Sequence, residues 1–282
     1  MSTGPIDLTI PARDSYPLAA TLYRPEGQPR RVVLVNSATA TPRRFYRHFA
    51  AALRDAGYLV LTYDYRGIGD SRPQNLRGFA ATMSDWAFHD MAGVVDWIVA
   101  EHAPERLFLV GHSFGGQVAG MLDNAAAVSG MLAFSAQSGH WRLQGGEQKA
   151  TVCFHVHVTL PVLSTLFGYM PWSAVGAGED LPKGAALQWA GWCRRREYLL
   201  GDDTLPIERF QRFTAPILAY SIDDDKWGTA RAVDALMAAY PNVERRHLSP
   251  TQVGLPAIGH FGYFKPGASH LWHDAITWLD HR

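Results

Sequence analysis

The pentapeptide Gly111-His112-Ser113-Phe114-Gly115 lies between a short apolar run at 106–110 and a segment at 116–122 that reads as a helix. G-x-S-x-G between a strand and a helix describes a very sharp turn. The serine is held in strained backbone and its hydroxyl points out of the sheet. Side chains two residues before and two after such a serine would collide, and glycine at 111 and 115 removes them. Gly116 lets the helix approach closer still. A five-residue pattern alone carries little weight, but the flanking strand and helix supply the context it requires.

The rest of the chain suits that unit. Strand-like and helix-like segments alternate, which predicts a mostly parallel sheet flanked by helices, an α/β fold. Early strands are expected at 18–23 and 31–36, a helix at 42–56 and a buried strand at 58–63. Thr82-Met83-Ser84-Asp85 reads as a capping box opening a helix that runs to about His102. A strand follows near 128–134. The rhythm then breaks from 139 to 213, where Pro161, Pro171 and Pro182 fall among Trp141, Trp172, Trp189 and Trp192. That stretch predicts an inserted lid of short helices, leaving 1–138 and 214–282 as the core. Strand–helix order resumes with a strand at 217–222, a helix near 229–240, a strand near 243–248 and a last helix near 268–280.

Composition narrows the partners. Lys plus Arg equals Asp plus Glu, 26 each, with no basic run, which argues against nucleic acid or an anionic membrane as partner. No stable membrane span is expected either. The most apolar stretch, 151–170, is interrupted by His155, His157, Pro161 and Gly168. The first residues show no export signal, so Cys153 and Cys193 read as reduced thiols of a cytoplasmic protein. No cofactor is expected. His155-Val156-His157 has a metal-like spacing but lacks a third ligand nearby, so no metal site is expected there.

A serine nucleophile needs a base, and the base needs an orienting acid. Reactive groups gather beyond the carboxyl ends of parallel strands. Asp223-Asp224-Asp225, directly after the 217–222 strand, supplies the acid and leaves open which of the three it is. His260, between Gly259 and Gly262 on the loop before the last helix, is the candidate base. His140 and His247 are the alternatives to exclude. For the oxyanion hole, one donor is the amide of Phe114, the residue after the serine. The second is expected from the loop 36–42, with Ala38 preferred. His140 and Trp141, at the lid hinge, are candidates for the substrate pocket. The lid's aromatic residues suggest a bulky apolar group on a small-molecule substrate.

Three motifs together resemble the α/β-hydrolase superfamily, most closely its serine hydrolases of the esterase, lysophospholipase and serine-aminopeptidase-like type. They are Gly111–Gly116, Asp64-Tyr65-Arg66-Gly67-Ile68-Gly69-Asp70-Ser71, and Gly259-His260-Phe261-Gly262. The resemblance implies Ser113 as nucleophile, His260 as base and, three positions past Ser221, Asp224 as acid. It implies that the 64–71 loop braces the site. The family's usual histidine-glycine at the oxyanion loop is here Asn36-Ser37. The expected reaction is hydrolysis of a carboxylic ester or thioester through an acyl-enzyme. Amide or carbon–carbon bond hydrolysis, acyl transfer, or non-catalytic ligand binding are the alternatives.

Overall fold

A computed structural model describes residues 4–282 except Glu147 and Ala177. Eight strands form one sheet in the order β1-β2-β4-β3-β5-β6-β9-β10. They are β1 (Ile6–Pro11), β2 (Pro17–Tyr23), β3 (Arg31–Asn36), β4 (Leu59–Tyr63), β5 (Arg106–His112), β6 (Gly130–Phe134), β9 (Ile217–Ile222) and β10 (Val243–Leu248). β1 and β2 run antiparallel to their neighbours, and every pairing from β4 through β10 is parallel. The short strands β7 (Tyr169–Met170) and β8 (Leu181–Pro182) pair separately inside the insertion.

The central strands are buried on both faces, as parallel strands covered by helices must be. Along β3, Val32 and Leu34 join one apolar cluster while Val33 and Val35 join the other. β5 repeats this with Leu107 and Leu109 against Phe108 and Val110. The period-two alternation thus feeds two cores, one on each side of the sheet. The fold is the expected α/β arrangement.

The 64–71 loop is a brace. Asp64, fully buried at the end of β4, accepts hydrogen bonds from the backbone amides of Arg43 and Asp70 and pairs with the Arg43 guanidinium. Arg66 pairs with Asp14 and buried Asp90, while its carbonyl accepts from the Trp86 indole. Trp86 and Tyr65 each meet Phe114 edge-on, so the brace ends against the residue following Ser113.

Two local expectations are corrected. The segment 116–122, expected as a helix, is not a continuous one. A single α-turn, Phe114–Gln117, is followed by a 3-10 turn at Ala119–Met121. Gly115, Gly116 and Gly120 are poor helix formers, and the Gly120 amide donates to the Tyr240 hydroxyl rather than continuing a helix. In the insertion, Pro161 does not break the chain into short helices. One helical stretch runs through Gln148–Phe167. A π-helical turn at His155–Thr159 lies immediately upstream of Leu160-Pro161, and such turns accommodate proline's missing N–H.

Candidate active site

The elbow forms as its sequence requires. Ser113 has φ +50° and ψ −117°, a conformation non-glycine residues rarely adopt. Its neighbours show why glycine is needed. A Cβ on Gly111 would lie 2.4 Å from the Gly116 Cα, and one on Gly115 would lie 2.2 Å from the Asn36 carbonyl oxygen. The Ser113 amide donates to the Phe134 carbonyl at 2.8 Å, tying the turn to β6.

The structure brings His260 to an aspartate, but not the expected one. His260 Nδ1 lies 2.8 Å from Oδ2 of Asp225, whose side chain is fully buried. Asp224 is therefore corrected to Asp225. The reason is a tight turn after β9, in which the Asp225 amide donates back to the Ile222 carbonyl. Asp223 and Asp224 occupy the corner, and the chain turns inward only at Asp225. The other oxygen, Oδ1, accepts from the amides of Trp227 and Gly228, both at 2.8 Å. A Cβ on Gly228 would lie 2.5 Å from Asp225 Oδ2, so glycine keeps that space open. Burial opposes ionisation of Asp225, but the imidazole's charge and hydrogen bond, with the Gly228 amide, outweigh it and hold the carboxyl down at about 2.

Asp224 has a different task. Its two oxygens accept from the amides of Ile258 and Gly259 at 2.9 and 2.8 Å. It fastens the loop immediately before His260. Asp223 is exposed and bonds His247 Nε2, while His247 Nδ1 meets the Ser221 hydroxyl. This second Asp–His–Ser array sits at the sheet edge with its serine buried in β9, so His247 is engaged away from Ser113.

The oxyanion loop brings a further correction. The Ala38 amide donates to the Tyr46 hydroxyl at 2.9 Å and is not available to a substrate. Tyr46, eight residues on, supplies an acceptor that no reading of the loop itself could anticipate. The Phe114 amide stands at the first position of its helical turn, where no intrahelical acceptor exists.

His112, the variable position of the elbow, was missed as a contributor. Tyr46 accepts from Ala38 and so donates to His112 Nδ1 at 2.8 Å. His112 Nε2 then donates to the His260 carbonyl, also at 2.8 Å. Burial, with the nearby His260 ring, pushes the His112 ring down to about 3, so it stays neutral and keeps one donor and one acceptor. The chain Ala38–Tyr46–His112–His260 thus joins the loop after β3 to the backbone of His260.

His140 and Trp141 are held by the insertion. His140 Nδ1 lies 3.3 Å from the Cys193 carbonyl, and Trp141 packs against His157 and under Arg142. Among the described residues neither hydrogen-bonds to Ser113, Asp225 or His260. Cys153 and Cys193 are free thiols. Ser113 is only 6% exposed. Clefts of about 640 and 490 Å³ open elsewhere, around Asp123 and Arg209.

A sequence profile of the family described as serine aminopeptidase, S33, matches residues 27–175, just over half of the chain and including the elbow. The chain belongs to that family of α/β-hydrolases. Solved structures similar to this chain include esterases, matched over most of their length. Esterase Pf2001 of Pyrococcus furiosus superposes with a TM-score of 0.62 at 15% identity, covering 99% of this chain and 93% of that one. Est1E of Butyrivibrio proteoclasticus, solved with ferulic acid bound, gives 0.65 at 15% identity, covering 97% and 98%. At such identity these likenesses show the fold alone. A curated relative, "Putative carbamate hydrolase RutD" of Variovorax paradoxus, is 35% identical over 108 residues. That match spans 38% of each chain.

Proposed function

We propose that this protein is a serine hydrolase that cleaves a carboxylic ester or thioester through an acyl-enzyme. The observation that carries the reading is the buried Asp225–His260 pair at 2.8 Å, on loops converging with an elbow serine at φ +50°. Asp225 fixes Nδ1 as the protonated nitrogen, which leaves Nε2 to accept the Ser113 proton. Ser113 Oγ attacks the carbonyl carbon, and the Phe114 amide donates to the developing oxyanion. The imidazolium, steadied by Asp225, returns its proton to the leaving alcohol or thiol. Water, deprotonated by the same nitrogen, then releases the acid. With Ala38 engaged by Tyr46, the second oxyanion donor falls to Thr39, whose amide meets no protein acceptor among the described residues.

The test is covalent labelling by a fluorophosphonate, followed by mass spectrometry. Wild type should carry one adduct on Ser113, and Ser113→Ala none, with turnover reduced by about a million-fold. A panel of p-nitrophenyl esters from acetate to decanoate, with thioester, amide and carbamate counterparts, ranks the substrate classes. Labelling that survives Ser113→Ala, or turnover confined to amides, overturns the proposal.

A further inference from the structure

The Gln148–Phe167 helix presents an apolar face that the fold does not cover. Eight large hydrophobic side chains are exposed among the described residues, and five belong to this one helix: Phe154, Val158, Val162, Leu166 and Phe167. Four of them recur at every fourth position, a continuous ridge on a rod about 30 Å long. Phe154 and Leu166 are 58% and 68% exposed, whereas Val152, Val156, Leu160 and Ser164 on the opposite face are buried. The helix contains no carboxylate. Its 20 residues and mean hydropathy of 1.5 would suit a membrane span, but one face is already used to pack the insertion onto the protein.

Basic groups flank the ridge. Lys149 lies at the first turn, Arg194 reaches the Val156 carbonyl at 3.2 Å, and Arg142 covers Trp141, which contacts His157. Among the described residues none of these three cations pairs with a carboxylate. A two-fold contact with a second copy would set the same cations against themselves, with no acid on either helix to answer them. A surface of negative headgroups over an apolar interior answers both features at once.

We infer that the Phe154–Leu166 face lies in the headgroup region of an anionic lipid bilayer, parallel to its surface. The balanced total charge hides this local asymmetry, so the expectation drawn from composition does not bear on it. The inference stands apart from the catalytic proposal.

Sedimentation of the full-length protein with vesicles tests it. Binding is expected to vesicles of equal parts phosphatidylcholine and phosphatidylglycerol and to weaken with salt. Phe154→Glu combined with Leu166→Glu should abolish it while leaving the circular dichroism spectrum unchanged. Arg194→Gln should weaken it roughly fivefold, and Ser113→Ala should bind like wild type. No sedimentation with anionic vesicles overturns the inference. So does a wild-type dimer that the double glutamate variant converts to monomer, which would assign the face to a second copy.

Discussion

The elbow and the long helices of the insertion are built from the same residue types under opposite packing conditions. At the elbow, backbone lies against backbone. The positions where glycine stands at 111, 115 and 116 would put a Cβ within 2.4, 2.2 and 2.7 Å of other atoms. In the insertion, the helix Lys183–Arg194 carries Gly191 with nothing within 4 Å of an added Cβ. One region has no slack because it holds Ser113 in a strained turn. The other has room at Gly191, and part of its apolar surface is left outside. Glycine is thus a requirement at 111, 115 and 116 and a weakness at 191, whereas Gly184 of the same helix is as confined as the elbow, 2.5 Å from the Ala81 carbonyl oxygen.

The sharpest way to break this comparison is at the acid. Asp225→Asn should lower kcat by about four powers of ten while the fold persists, because the imidazole loses its orienting charge. Asp224→Asn keeps an oxygen for one of the two loop amides and should cost far less, about tenfold or under. Steady-state kinetics on one activated ester measures both. Equal losses would mean that the loop anchor and the acid act as one unit.

Next comes the glycine pair. Gly115→Ala must push the oxyanion loop away from the elbow helix and should destabilise by about 3 kcal/mol, read as a lowered denaturant midpoint. Gly191→Ala should do the reverse, raising stability by about 0.5–1 kcal/mol through the helix it joins. The opposite signs are the prediction. Stabilisation by both would show that the elbow relaxes more readily than its contacts indicate.

Much of this was readable in the sequence because it is local. The elbow is written in five residues and their flanks, the capping box at Thr82 and Asp85 forms as its spacing says, and His260 stands on its loop before the last helix. What escaped depends on direction or on distant partners. Asp224 and Asp225 are adjacent and chemically identical, and only the Ile222–Asp225 turn decides which one faces inward. The engagement of Ala38 depends on where Tyr46 lands after a helical turn. Pro161 signals a break wherever the upstream turn is regular, and the π-turn before it removes that signal.

His112 has a consequence for anyone recombining this chain with its relatives. His260 belongs to the C-terminal segment, yet its carbonyl hangs from a ring on β5, which in turn leans on a tyrosine from the loop after β3. A chimera that exchanges the C-terminal segment alone transplants His260 without its suspension. Positions 46 and 112 form the smallest set that must travel with it, although neither is expected to touch a substrate.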